Sequence, residues 1–170
     1  MSELMPSSDS QVSEDILVEG RWQAWAQPVE RLKVDGIEPG AVNLNVNSRQ
    51  LTSPLNGFGQ MWQKTYRIRL SGSNVTPQQV IKVWKENFPK FWLEGNYFYG
   101  PKTGIAPGEV ALLNLAGPYN VRAPGDAPMI STGILIIYAD EESFSFMTPE
   151  GHMFAAFNTF SAYEEDGSTV

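Results

Sequence analysis

At 170 residues and 18.9 kDa the chain is the size of one domain, and a two-domain enzyme with separate cofactor and substrate halves is disfavoured from the start. With 42% hydrophobic, 12% aromatic and 18% charged residues it is too apolar and too weakly charged to be disordered. A net charge of -7 disfavours binding to nucleic acid or to an anionic membrane surface, and the lack of cysteine removes disulfides, thiolate metal sites and a cysteine nucleophile. The charge is also lopsided. Every Lys and Arg lies at or before Arg122, whereas the last 48 residues carry eight carboxylates and no cation.

Residues 1–15 are mostly polar with few apolar anchors, so a disordered leader is expected there. The start has neither a basic stretch nor an apolar run, and about 18 consecutive apolar residues occur nowhere, which predicts a cytoplasmic chain without a membrane span. Residues 16–60 read as an N-terminal extension. In it Trp22, Trp25, Val29 and Leu32 recur at spacings of three and four, interrupted by Gly20 and Pro28, which suggests a short helix or an irregular arm. Val42, Leu44 and Val46 alternate with Asn43, Asn45 and Asn47, a period of two that predicts an edge strand.

From residue 61 the pattern sharpens. Trp62, Lys64, Tyr66, Ile68 and Leu70 share one parity and Gln63, Thr65, Arg67 and Arg69 the other, the pattern of a half-buried strand. Gly57-Phe58-Gly59 before it reads as a turn. Thr76-Pro77-Gln78-Gln79 then supplies an N-cap hydroxyl, a proline at the first helical position and a glutamine to close a capping box, with Val75 and Val80 at the positions of a hydrophobic staple. Val80, Val83, Trp84 and Phe88 form an apolar stripe at helical spacing until Pro89 stops the helix.

An aromatic cluster follows, Phe91-Trp92-Leu93 and Tyr97-Phe98-Tyr99, and then a loop rich in glycine and proline. Strand-like runs at Val110 to Ala116, Met129 to Ala139, Ser143 to Met147 and Met153 to Tyr163, with a start at Ser168, predict a β-meander. The last three links are turns. The Gly117 to Pro128 stretch is the only long loop among these strands, the kind that more often lines a site than a core.

Catalytic motifs are absent. His152 is the only histidine and lies in a Pro-Glu-Gly-His turn, without HExxH spacing for a metal, and neither a P-loop nor a GxSxG elbow occurs. The acidic runs at Asp140 to Glu142 and Glu164 to Asp166 fall at turns, where water keeps carboxylates ordinary. Asn114, Asn158 and Thr159 sit within otherwise apolar runs and so require partners, either a neighbouring backbone or a ligand.

A strand, a capped helix ending in Phe88-Pro89-Lys90-Phe91-Trp92, and a meander ending in Tyr163-Glu164-Glu165-Asp166-Gly167-Ser168-Thr169-Val170 resemble the START-like helix-grip superfamily, also called SRPBCC. The resemblance spans Trp62 to Val170. It implies an α+β fold in which a curved antiparallel sheet grips a helix around an apolar cavity, with residues 61–170 as the domain. In that family the strand begun at Ser168 would continue and a long helix would follow, so its absence here predicts an exposed sheet face and self-association into a homo-oligomer, unless the Trp22 to Leu32 segment covers it.

The expected function is accordingly the binding of a hydrophobic small molecule, lipid-like or polycyclic, without a cofactor or metal. The expected lining is Phe88, Phe91, Trp92, Tyr97, Tyr99, Asn114, Phe146, Phe157, Asn158 and Thr159. Two alternatives stand beside it. One is a cyclase or dehydratase in which Asn158, Tyr99 or His152 polarises a carbonyl or moves a proton; the other is a protein-interaction domain using its sheet face.

Overall fold

The computed structural model describes residues 31–34, 36–72 and 74–170, so the expected leader and the Trp22 and Trp25 segment lie outside the described residues. The clearest element is the helix α1, Pro77–Asn87. Thr76 Oγ1 accepts the amide of Gln79 at 3.3 Å, and Gln79 Oε1 accepts the amide of Thr76 at 2.9 Å, so the capping box closes as its sequence dictates. The chain then tightens into a 3-10 turn, Phe88–Phe91, because Pro89 has no amide hydrogen to continue the α-helical ladder.

Five strands follow: β1 Tyr97–Tyr99, β2 Val110–Leu115, β3 Ile130–Ala139, β4 Ser143–Met147 and β5 Phe157–Ser161. They pair antiparallel in chain order, the meander that alternation and short links require, and α1 packs on one face. The fold is α+β. β1 was legible only as part of an aromatic cluster; Phe98 pairs with Leu113, which makes it an edge strand.

Because side chains alternate, the sheet has two differently filled faces. Toward α1 point Phe98, Ala111, Leu113, Ile134, Ile136, Phe144, Phe146 and Phe160, closed by Ile81, Trp84 and Phe88. Val83 does not join them. Ile81 takes its place in the stripe, and Val83 is turned outward. The opposite face carries Tyr99, Val110, Leu112 and Leu135, covered by Leu32, Val34, Ile37, Ala41, Val46 and Leu51 of the segment before α1.

Three predicted strands come out differently. Residues 42–47 form no strand; Leu44 points to solvent while Val46 is wholly buried, and the segment is fixed to the sheet by side chains instead of by a ladder. Residues 60–69 also form no strand and are exposed throughout; Arg67 and Arg69 pair with Glu165, and just beyond them the Leu70 amide donates to the Thr169 carbonyl at 2.9 Å. Finally, the run begun at Ser168 does not enter the sheet. Glu164–Glu165, strand β6, and Ser168–Thr169, strand β7, form a separate two-stranded ribbon.

Candidate functional site

Between helix and sheet, where a cavity was expected, aromatic side chains of both meet. Phe88 lies at the centre of the helix-facing side, its ring centroid 4.8 Å from Phe98, 5.6 Å from Phe144, 5.4 Å from Phe146 and 5.2 Å from Phe160, all in edge-to-face contact. Trp84 meets Phe144 and Phe160 edge-on, and Trp92 stacks on Phe98 at 6.1 Å. Offset and T-shaped contacts of this kind are the preferred arrangements of aromatic pairs.

The residues expected to line one hollow are divided among three places. Phe88, Trp92 and Phe146 belong to the ring-filled interior, with Asn158 exposed on the same side of β5. Tyr97, Tyr99, Asn114, Phe157 and Thr159 lie on the opposite face. Phe91 is exposed and touches Trp84 edge-on from beyond the helix end.

The polar members have partners within the fold. With its amide oriented to satisfy both ends, Asn114 donates to the Val42 carbonyl at 2.9 Å and to Ser131 Oγ at 3.1 Å, and accepts from the Val42 amide at 3.1 Å. Ser131 Oγ in turn donates to the Val42 carbonyl. Two buried polar residues of the sheet thereby hold the backbone of the covering segment. Thr159 shares a 2.9 Å hydrogen bond with Ser145 across the β4–β5 pair.

Two side chains with a lowered pKa, His152 and Asp140, are each hydrogen-bonded within a turn. His152 Nδ1 accepts the Phe154 amide at 3.0 Å, and burial lowers the pKa of the ring from its ordinary 6.5, so the neutral form is favoured. Asp140 was expected to be an ordinary turn carboxylate and is not. Burial opposes its ionisation, but hydrogen bonds from the Tyr138 hydroxyl, the Glu142 and Ser143 amides and the Ser143 hydroxyl outweigh this and lower its pKa from 3.8. It closes the β3–β4 turn, whose backbone also receives Lys85 Nζ from α1 at 2.9 Å. Among the described residues no group of three or more His, Asp or Glu could hold a metal ion, and no helix is long and apolar enough to cross a membrane.

Two open depressions of about 400 and 460 Å³ flank α1. The first lies between the helix end and the Gly100 to Ile105 loop, the second along the outer helix face, and charged side chains border both. Neither is lined by any of the ten residues expected from the sequence.

The unsatisfied apolar surface is elsewhere. The segment Leu51 to Gly57 runs beside Thr148 to Ala156: the Thr52 amide donates to the Thr148 carbonyl at 2.9 Å, Thr148 Oγ1 donates to the Thr52 carbonyl at 3.3 Å, and a β-carbon on Gly57 would stand 3.0 Å from that of Ala155. This pairing places Leu55 and Phe58 on one segment and Met153, Phe154 and Phe157 on its neighbour, all five exposed. Beyond it Met61, Trp62, Tyr66 and Ile68 continue the exposed run. Sequence reasoning treated Phe58 as part of a turn and Trp62, Tyr66 and Ile68 as the buried face of a strand. Phe58 between two glycines was the available signal, since an apolar ring in a glycine turn has little chain around it to bury it.

No protein-family model matches the chain, and neither the curated proteins nor the solved structures contain a match to it.

Proposed function

We propose that the chain is a non-catalytic interaction module whose binding surface is the apolar strip formed by Leu55, Phe58, Met153, Phe154 and Phe157. The observation that carries this reading is that five large apolar side chains on two hydrogen-bonded neighbouring segments all stay open to solvent. Large apolar side chains grouped in the open are uncommon on monomers and mark sites that a partner covers. Aromatic residues and methionine, which supply four of the five, are enriched at the centres of protein interfaces.

The order of sheet and helix is compatible with the helix-grip resemblance. The same resemblance points to a hydrophobic small molecule, but such a ligand would have to part the rings around Phe88 before entering. An external apolar surface requires no such opening.

The test is native mass spectrometry on chain isolated from its own cells, paired with the double variant Phe154→Ser, Phe157→Ser. A stoichiometric polypeptide partner, or a second copy, that is lost from the double variant supports the reading. A monomer carrying a hydrophobic small molecule in both forms overturns it in favour of cavity binding.

A further inference from the structure

Residues 58–69 have the side-chain pattern of a strand but no strand to pair with among the described residues. Trp62 is 71%, Tyr66 87% and Ile68 75% exposed, so the face that alternation marks for burial is in water. The arm is fixed at both ends. Gly57 abuts Ala155, two residues before β5 begins, and at the other end Arg67 Nη2 meets Glu165 Oε1 at 2.7 Å, just before Leu70 joins Thr169. Both anchors therefore bracket β5 in the sequence.

β5 is the last strand of the sheet. It pairs with β4 on one side, and no described segment forms a ladder on the other. An open edge presents a row of unpaired amides and carbonyls, the standard template for adding a strand from another chain. Four of its five residues are exposed, including Phe157. One molecule thus displays an unpaired strand-patterned donor and an unpaired strand acceptor together.

Charge favours the match. Between Gly57 and Val75 the chain carries Lys64, Arg67 and Arg69 and no carboxylate, whereas from Ala139 onward it carries seven carboxylates and no Lys or Arg. The Arg67 and Arg69 pairs with Glu165 already show this attraction within one chain.

Resting on the interaction reading above, we infer that the partner is a second copy of this chain, and that each copy lays its 58–69 arm along the β5 edge of the other. Such an exchange is isologous, since the same donor and acceptor occur on both molecules, and it closes with two-fold symmetry. Burying the five large apolar side chains of each arm would remove on the order of 1,400 Å² of surface in all, within the range of stable interfaces. The exchange turns the period of two, unused in the isolated chain, into a sixth strand.

The test uses the full chain in size-exclusion chromatography with light scattering from micromolar to millimolar concentration, with amide exchange measured at both extremes. The expected result is a concentration-dependent dimer in which exchange slows at residues 61–69 and 157–161 together. Trp62→Ser with Ile68→Ser should raise the dimer dissociation constant roughly tenfold or more, with helix and sheet content unchanged in circular dichroism. Lys64→Glu, which touches no core residue, should weaken the dimer in the same direction.

A monomer at every concentration overturns the exchange, whether or not the arm is protected, and so does a dimer in which residues 61–69 stay unprotected. These failures are separable from failure of the interaction reading. That reading falls only if the Phe154 and Phe157 strip binds no polypeptide at all.

Discussion

Val46 rests directly on the backbone of Gly133, its Cγ1 2.6 Å from where a β-carbon on that glycine would stand. The contact explains why a segment without a ladder is nonetheless fixed to the sheet. Gly133 lies opposite Leu112 in the β2–β3 pair, and the missing side chain makes a socket that Val46 fills completely. Asn114 and Ser131 hold Val42 beside it, so the cover is secured by one apolar plug and two polar clamps.

Gly133→Ala should expel Val46 from this socket. A gap of that size admits no methyl group unless the covering segment moves, and overpacking of this kind costs about 1–3 kcal/mol. Urea titration should show the loss, and amide exchange should accelerate at residues 41–51 while α1 stays protected. A Gly133→Ala variant as stable as the wild type would show that the cover does not depend on the contact.

The ring cluster yields a second expectation. Phe88→Ala removes the ring that touches five others and should cost about 3–5 kcal/mol, because four of those neighbours are held by the sheet and cannot collapse into the gap. Phe91→Ala, three residues away but exposed, should cost about 0.5 kcal/mol or less. Comparable losses from the two would mean that the helix does not pack through Phe88.

Asp140 should make stability sensitive to acid. Its folded-state pKa is below the ordinary 3.8, so its contribution is fully present above that value and is lost as pH falls through the folded pKa. Asp140→Ala should lower stability at neutral pH by about 1–2 kcal/mol through loss of the turn hydrogen bonds. It should also flatten the acid limb of a plot of denaturation midpoint against pH.

His152 acts in a higher window. Its folded-state pKa is depressed below 6.5, so the neutral ring stabilises fully above 6.5, and that contribution declines as pH falls through the folded value. Protonated Nδ1 can no longer accept the Phe154 amide and donates instead to the Phe154 carbonyl, 3.1 Å away, so acidification should free that amide. Amide exchange at Phe154, measured on either side of this window, should quicken in acid. His152→Asn, which keeps an acceptor but does not titrate, should remove the dependence.

How far the sequence could be read differs from element to element. Thr76, Pro77 and Gln79 specified where α1 begins, and the apolar run Val110 to Leu115 and the alternation in Ser143 to Met147 specified strands. Alternation like that of Ser143 to Met147 produced no strand in Val42 to Val46 or in Trp62 to Leu70. Among the expected site residues the aromatic character was legible, but not which face each ring takes, and so not that Phe88 and Phe146 would fill the interior while Tyr97 and Phe157 stand on the far side.

The difference is physical. A helix closes its hydrogen bonds within four residues of itself, and a cap lies within three, so the local sequence contains both partners. A strand finds its partner on another segment, and a period of two states only that one face wants burial, not that any edge is available to receive it. The chain alone therefore determined the capped helix, the meander and the division of charge. Whether Gly133 would admit Val46, which rings would meet beneath α1, and whether residues 60–69 would find a strand to pair with were decided only when distant segments came together.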